Sequence, residues 1–461
     1  MASVARPRLR VGVFADCALQ PRWMVEALAR AAAGDHAELS LVACLPGARR
    51  SHEAPMLWRA YATLDEAIFG DAARWSRPMD ATRLVPEERR IEMAGDDRLW
   101  RARVADARLD VAFVMGEVDD ARLGNLARYG TWRFCFGDEQ STCEASAAVR
   151  DVVEGKPVVA SGIRIAPGGG RPDRVACQSF ARSYSFSPAR SRGAIFAKTV
   201  EFLARALRDL QARGVEWIER CTEPAKPRTK NGYAPGLAGI ATLGSRVAQR
   251  VAQKALTVEE WSIAWRFSDE ESWDGSLEGF HHLHPPKGGF WADPFPLQKD
   301  GRSYIFFEEL PYGAPRAHIS VVEVTRDGKA SAPQKVLERD YHLSYPFLIE
   351  EDGQLFMIPE TADNATVELY RCVEFPHKWK LERVLVEGLK CADATLHREH
   401  DRWWMFTTAT RPGGADINDE LHLFSADRLL GEWKPHRGNP VKSDVRSARP
   451  AGRLFRHGEN L

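Results

Sequence analysis

Apolar runs separated by polar turns organise the first two hundred residues. Leu9–Phe14 is a β-rich apolar run directly after a basic tail, and unbroken apolarity of this kind marks a strand buried on both faces. Leu39–Leu45 and Val111–Met115 repeat that signal, and Trp132–Phe136 reads as a further strand. Between these runs the period lengthens to that of a helix. Pro21–Ala33 opens on a proline and carries Trp23, Ala27, Leu28 and Ala32 on one side. Met56–Phe69 is amphipathic, and Ala121–Tyr129 looks helical. Ala189–Leu210 reads as one long helix, with Ile195, Val200, Leu203, Leu207 and Leu210 at helical spacing. Strands alternating with helices predict a doubly wound α/β domain over residues 8–215.

The pattern then changes. Thr222–Tyr233 is polar and contains Pro224 and Pro227, as linkers do. Leu237–Leu256 follows with Leu237, Ile240, Leu243, Val247, Val251 and Ala255 on one helical face and Arg246, Arg250 and Lys254 on another. Such a helix either lies on a membrane surface or docks between two domains. Residues 216–257 are therefore expected to be a linker with an amphipathic helix.

From residue 258 the period shortens to that of strands, and the chain repeats itself. Four similar openings stand at 292–295, 344–347, 392–395 and 449–452 (ADPF, SYPF, ADAT and RPAG). Their third positions, 294, 346, 394 and 451, are 52, 48 and 57 residues apart. The first three are each followed by a short strand, a turn at 299–301, 351–353 or 399–401, and an aromatic or apolar strand (YIFFEE, LFMIPE, WWMFTT). A third alternating strand comes next, at His318–Val324, Val367–Arg371 and Leu421–Ser425. A unit of about 50 residues with three or four strands has the period of a propeller blade. The expected fold of residues 258–461 is an all-β five-bladed propeller whose last blade is incomplete at Leu461, with Trp261–Phe267 supplying a strand that closes the ring. An antiparallel sandwich with coincidental spacing is the alternative.

Composition narrows the function. Lys plus Arg equals Asp plus Glu at 64 each and the pI is near 7.2, so no whole-chain field draws the protein to nucleic acid or anionic lipid. The eight cysteines form no C-x-x-C pair and no metal or disulfide framework. Reduced, scattered thiols, no signal-peptide apolar region at the N-terminus and no long apolar run together predict a soluble cytoplasmic protein. No metal and no cofactor is expected. The 14 tryptophans serve either cores or stacking platforms for sugars, and composition does not choose between them.

The candidate chemistry lies mainly in the repeats. In a propeller the innermost strands line one channel, so equivalent positions in successive blades converge. Asp293 and Asp393 occupy the same slot in blades one and three; Glu360 matches either Glu308 or Glu309 on the following strand. His342, Tyr345 and Arg449 stand in or beside the corresponding openings, and Trp291 is a candidate platform beside Asp293. Convergent carboxylates among aromatic rings suit glycoside chemistry, which needs a proton donor, a base or nucleophile, and stacking surfaces. The competing reading is that such acids cap turns or bind neighbouring backbone N–H groups. In the N-terminal half no G-x-G-x-x-G follows the first strand; Asp16 at its carboxyl end is placed for a ligand or for a turn, and Gly168-Gly169-Gly170 lies in a polar loop.

Two resemblances add to these readings. LRVGVFAD, LDVAFVMG at 109–116 and YGTWRFCFGDE at 129–139 resemble the N-terminal domain of formyltransferases of the methionyl-tRNA and sugar-nucleotide type. That family carries a catalytic Asn and the His of H-x-S-L-L-P in the last stretch, where this chain has neither; Asp138 and Glu139 are the titratable residues there. The resemblance thus implies a degenerate domain used for binding or scaffolding. FWADPF resembles the first-blade signature of glycoside hydrolase family 43, which implies Asp293 as general base and Asp393 as the acid that tunes a proton donor. No clear counterpart of that family's general-acid Glu precedes Leu461, which leaves Glu360 as the candidate. ADPF…FFEE, YHLSYPF, MIPET, VELYR and DATL…WWMF resemble the N-terminal propeller domain of plant glucosamine inositolphosphorylceramide transferases, over about 200 residues. Together they imply a glycan or glycolipid headgroup as partner, in a surface-polysaccharide pathway. Three functions stay open: a carbohydrate-active enzyme, a non-catalytic glycan-binding module or scaffold, and a formyl- or acyl-transferase acting from the N-terminal domain. Nucleic acid is not an expected partner, and contact with a membrane surface stays open.

Overall fold

Strand β1, Leu9–Ala15, lies inside the N-terminal sheet because it is apolar on both faces. The computed structural model describes residues 6–47, 54–70, 72–123, 126–137, 141–142, 146–224, 233–258, 260–269, 276–411 and 414–456. The chain divides into two compact units, Met1–Gln253 and Lys254–Leu461.

In the first unit β2 (Leu19–Pro21) pairs with β4 (Pro78–Asp80) in a small antiparallel ribbon. The main sheet has seven strands, namely β1, β3 (Ala37–Cys44), β5 (Arg90–Glu92), β6 (Val111–Met115), β7 (Thr131–Phe136), β8 (Val158–Ala166) and β9 (Arg174–Arg182). Their order is β5-β3-β1-β6-β7-β8-β9. The first five in that order run parallel; β8 and β9 return antiparallel, and the sequence pattern alone did not predict them. Both faces are covered. Val11, Val13 and Ala15 meet the layer formed by helices Arg22–Ala33, Pro188–Thr199 and Phe202–Arg213, whereas Phe14, Ala112 and Val114 meet Trp100 and Val104 of helix Asp97–Asp106. Trp23 fills the first layer, with Phe134 at 4.8 Å, Phe196 at 4.7 Å and Phe136 at 5.9 Å between ring centres.

Two expectations need correction here. The single helix 189–210 is two, Pro188–Thr199 and Phe202–Arg213; Val200 and Glu201 between them keep near-helical dihedrals, so the 3.6-residue spacing runs through the break. The helix expected at 121–129 spans Asp120–Leu123, and Ala127 instead bridges Leu109 in parallel. Helix Leu237–Leu256 is held on the first unit by fully buried Leu243 and by Arg246, which donates to the carbonyls of Val152 (2.6 Å) and Ser185 (3.2 Å). Its second half is exposed. No helix among the described residues is long and apolar enough to cross a membrane.

The second unit begins with β10 (Ile263–Trp265), which pairs with β11 (His281–Leu283). The stretch 261–267 therefore forms a two-stranded ribbon and closes no larger sheet among the described residues. Three antiparallel meanders follow. The first is β12 (Gly289–Lys299), β13 (Arg302–Pro311), β14 (His318–Val324) and β15 (Gln334–Leu337); the second is β16 (Ser344–Glu351), β17 (Gln354–Thr361), β18 (Thr366–Glu374) and β19 (Lys378–Glu387). The third is β20 (Lys390–Glu399), β21 (Arg402–Thr410), β22 (Glu420–Ala426) and β23 (Lys434–Pro435), with β24 (Lys442–Ser443) also on β22. The first strands of successive sheets pack on one another, β12 on β16 and β16 on β20. One apolar core runs through all three sheets and includes Phe306, Phe347, Met357, Leu369, Tyr370 and Met405. Each first hairpin closes with a two-residue loop at positive φ: Asp300-Gly301, Asp352-Gly353 and His400-Asp401. That geometry matches the twist of the flanking strands. The fourth opening, 449–452, is irregular chain rather than a strand.

Candidate functional site

Each first strand breaks its ladder at the same place. The register shifts between Ala292 and Phe295, between Ser344 and Phe347, and between Ala392 and Thr395. The residue entering each break has positive φ: Asp293 at 51°, Tyr345 at 45° and Asp393 at 56°. A bulge inserts an extra residue and re-aims the side chain it carries. Left-handed dihedrals in non-glycine residues are costly, for a tyrosine especially, and persist where the surroundings enforce them. The three slots are 52 and 48 residues apart, the repeat seen in the sequence. Register also pairs Ala292 with Glu308, Ser344 with Glu360 and Ala392 with Thr408. Glu308, not Glu309, is therefore the counterpart of Glu360. Glu309 accepts bonds from Trp291 Nε1 (3.2 Å), His318 Nε2 (3.2 Å) and Ser320 Oγ (2.5 Å). The His318 bond first, then those from Ser320 and Trp291, hold its carboxyl down at about 2 against the cost of burial.

Four carboxyls gather around the slots. Asp393 is 3% exposed and takes two bonds from one guanidinium, from Arg449 Nε and from Arg449 Nη2 at 3.1 Å. Arg449 Nη1 is held by Asn418 Oδ1 at 3.0 Å. This fork-on-carboxylate geometry is the strong form of an ion pair, and it raises the Arg449 pKa further. Arg449 Nη2 also stands 3.7 Å from Glu360 Oε2, too far for a hydrogen bond. The Glu360 carboxyl is pushed up to about 8, first by burial and then by the charge of Asp393, with Arg449 opposing. Its Oε2 is buried and finds no hydrogen-bond donor among the described residues. Asp293 rises to about 6, from burial first and then from the charges of Glu308 and Asp393; Arg449 and the Tyr345 N–H, 3.2 Å from Oδ2, pull the other way. Glu308 pairs with His342 Nε2 at 3.0 Å. His342 Nδ1 accepts the Ala317 N–H at 3.3 Å, so Nε2 carries the proton facing Glu308, and that bond raises the histidine pKa.

Of the residues singled out in the sequence, Asp293, Asp393, Glu360, Glu308, His342 and Arg449 come together. Two do not serve as expected. Trp291 is 3% exposed, its ring 5.0 Å from Phe307 in the core of the first sheet, and it offers no face to a sugar. Tyr345 is 4% exposed; its hydroxyl takes the Gly452 N–H at 2.8 Å and meets Thr395 Oγ1 at 2.6 Å, while its ring stands edge-on to Phe295 at 4.8 Å. Burial pushes this phenol up to about 12, and the residue braces the third sheet and the C-terminal segment. Sequence reasoning missed Thr408, which a strand-by-strand alignment of the repeats finds, and Asn418, which lies in a loop with no repeat to flag it.

In the first unit Asp16 accepts from Gln20 Nε2 (2.8 Å) and the Glu117 N–H (3.1 Å). Gly116 has φ of +66°, and a Cβ there would stand 2.1 Å from the Asp16 carboxylate. Asp16, Leu45, Met93, Glu117 and Arg122 line a cleft of about 440 Å³ at the carboxyl ends of the parallel strands. Gly168, Gly169 and Gly170 all have positive φ and lead into no helix, so they form no phosphate cradle. Asp138 and Glu139 lie outside the described residues. No group of three His, Cys, Asp or Glu side chains among the described residues is placed to hold a metal ion.

Comparison with known proteins follows the boundary between the units. A family model described as glucosamine inositolphosphorylceramide transferase 1, N-terminal, matches residues 284–461, the stretch that holds the whole acid cluster. Glucosamine inositolphosphorylceramide transferase 1 of Arabidopsis thaliana is 32% identical over 175 residues, 37% of this chain and 23% of the relative. Its namesake in Oryza sativa subsp. japonica is 32% identical over 178 residues, 37% of this chain and 24% of the relative. The chain thus spans about a quarter of the length of the curated relatives it matches. Among solved structures, a family 117 glycoside hydrolase of Zobellia galactanivorans covers 40% of this chain and 64% of its own at 13% identity and a TM-score of 0.30. An exo-beta-1,3-galactanase of Phanerochaete chrysosporium covers 40% of this chain and 45% of its own at 12% identity and a TM-score of 0.30. Over residues 284–461 the chain is similar to carbohydrate-related transferases.

Proposed function

We propose that the acid cluster of the second unit is a sugar site that performs acid–base chemistry at a glycosidic oxygen. One observation carries this reading. Two neighbouring carboxyls, Glu360 at about 8 and Asp293 at about 6, are pushed to opposite sides of neutrality beside a third acid clamped by Arg449. Carboxyls with separated pKa values divide the roles of acid and base. At pH 7 Glu360 holds a proton to give to a leaving glycosidic oxygen, and Asp293 is largely ionised and accepts one from the attacking water or hydroxyl. The bond from the anomeric carbon to the leaving oxygen breaks as the bond to the incoming oxygen forms, and the two carboxyls exchange protonation states. Asp393, clamped by Arg449, stands beside Glu360. Under this reading the three sheets are consecutive blades of a five-bladed ring, and the substrate is a glycan or glycolipid headgroup of a surface-polysaccharide pathway in the cytoplasm. The names of the relatives and the family model support the carbohydrate context. The test is hydrolysis or transfer by the purified chain on a panel of aryl glycosides and glycolipids. Asp293→Asn and Glu360→Gln should each remove turnover with circular dichroism unchanged; turnover at the parent rate in either variant rejects the scheme.

The cleft beside Asp16 favours a second reading, in which the first unit is a formyltransferase-like module that keeps a ligand-binding role. A melting shift on adding a formyl-tetrahydrofolate analogue would support it, and no shift at millimolar analogue would leave the unit as a scaffold.

A further inference from the structure

Helix Met56–Phe69 of the first unit is apolar on more than its packed side. Trp58 and Asp65 face inward, and Asp65 accepts from Ser187 Oγ (2.6 Å) and from the Ala189 N–H (2.8 Å). Met56, Leu57, Leu64 and Ile68 are 79%, 55%, 59% and 60% exposed. With the exposed Ala60 and Ala67 they form one arc along the helix, because residues three, four and seven apart share a face. Contiguous exposed apolar surface of this kind marks a contact with another protein or with a membrane. The polar residues beside the arc are Arg59, Thr63 and Glu66, and Glu66 is taken by Arg192 at 2.8 Å.

Guanidiniums border this arc. The Phe69 ring, at the end of the helix, stands 5.2 Å from Phe186, which meets Tyr184 at 6.3 Å. Arg182 and Arg190 stack on Tyr184, 5.6 and 4.2 Å from its ring centre, and both are exposed. Arg59, Arg182 and Arg190 have no carboxylate partner among the described residues. Uncompensated positive charge beside an apolar face is the pairing that suits anionic lipid. A second copy of the chain fits the arc less well. The helix has 14 residues, so the strip is about 21 Å long and about 10 Å wide, well short of the about 800 Å² that each partner of a stable dimer buries.

From the bare apolar arc and the unpaired arginines we propose that the first unit docks on an anionic lipid bilayer. Met56, Leu57, Leu64 and Ile68 enter the headgroup boundary, and Arg59, Arg182 and Arg190 meet lipid phosphates. A phosphodiester brings the negative charge and the paired acceptor oxygens that a guanidinium takes. The balanced charge of the whole chain does not oppose this, because the attraction is local and decays over about 8–10 Å. The apolar strip and the arginines act together, since either signal alone holds a protein only weakly to a membrane. The inference concerns the first unit and stands apart from the sugar-site reading of the second.

Co-sedimentation of the whole chain with lipid vesicles tests it, one set of phosphatidylcholine and one set with one part phosphatidylglycerol to three parts phosphatidylcholine. The anionic vesicles should bind about tenfold more tightly or better. Leu64→Gln with Ile68→Gln should abolish binding, and Arg182→Gln with Arg190→Gln should remove the anionic preference. Circular dichroism and melting should be unchanged in both, because all four residues are exposed. Leu99→Gln, on the helix that covers the opposite face of the sheet, should keep full binding. Equal binding to both vesicle sets, binding to neither, or binding that survives Leu64→Gln with Ile68→Gln overturns the inference. So does a dimer in sedimentation velocity that those two changes split, since the arc is then a contact between copies.

Discussion

Glu360 shows how one side chain is governed by its surroundings. Its carboxyl titrates at about 8 in the folded chain against the ordinary 4.5. Between those values the unfolded chain has lost the proton that the native state still holds, so stability falls as pH rises from 4.5 to 8 and then levels. Glutamine has the same shape and no charge to bury. Glu360→Gln should therefore melt close to the parent at pH 4.5 and higher than it at pH 8.5, by about 2–4 °C for each kcal/mol relieved; scanning fluorimetry across that range reads the difference. Arg449 makes the opposite case. Removing it strands the buried Asp393 carboxylate, and because Arg449 is itself 46% exposed the loss stays below that of a fully buried pair, at about 1–3 kcal/mol. Arg449→Met should lose that much in urea unfolding, and Arg449→Met with Asp393→Asn should recover a large part of it. Asp293, Asp393 and Glu360 were legible in the sequence because the repeat marked their positions. The roles of Trp291 and Tyr345 were not, because an aromatic residue beside a candidate acid reads the same whether its ring faces solvent or core.

At the scale of elements, hairpins were the most legible feature. Asp-Gly at 300–301 and 352–353 announces a two-residue turn, since glycine takes positive φ without a Cβ clash. The third loop adopts the same turn with His400 at 47° and Asp401 at 45°, residues that fit it less well. His400→Asn with Asp401→Gly should stabilise the chain by about 1 kcal/mol, visible as a higher melting temperature with no change in secondary structure. The bulges left no such sign. Proline follows Asp293 and Tyr345 and alanine follows Asp393, so no shared residue type marks the break. Two of the breaks meet only in the folded chain, where the Tyr345 N–H donates to Asp293 Oδ2. Strands β8 and β9 escaped notice for a related reason: charged and polar residues such as Arg164, Arg174 and Gln178 interrupt their alternation.

For the whole molecule, the two units have separate cores, one built on a seven-stranded sheet and the other on three consecutive meanders. Calorimetry should resolve two transitions, and the alkaline gain from Glu360→Gln should appear in only one of them; a single transition shifted as a unit would show that the cores melt together. The sequence by itself determined the two-part organisation, the α/β character of the first part, the fifty-residue strand repeat of the second and the recurrence of acids within it. These depend on hydrophobic period and turn chemistry, which are local properties of the chain. Only the tertiary structure decided which acids face one another, that Glu308 rather than Glu309 joins them, that Arg449 clamps Asp393 from 56 residues away, and that Trp291 belongs to the core. Those outcomes depend on bulge, register and burial, where a shift of one residue sends a side chain to the opposite face of its sheet.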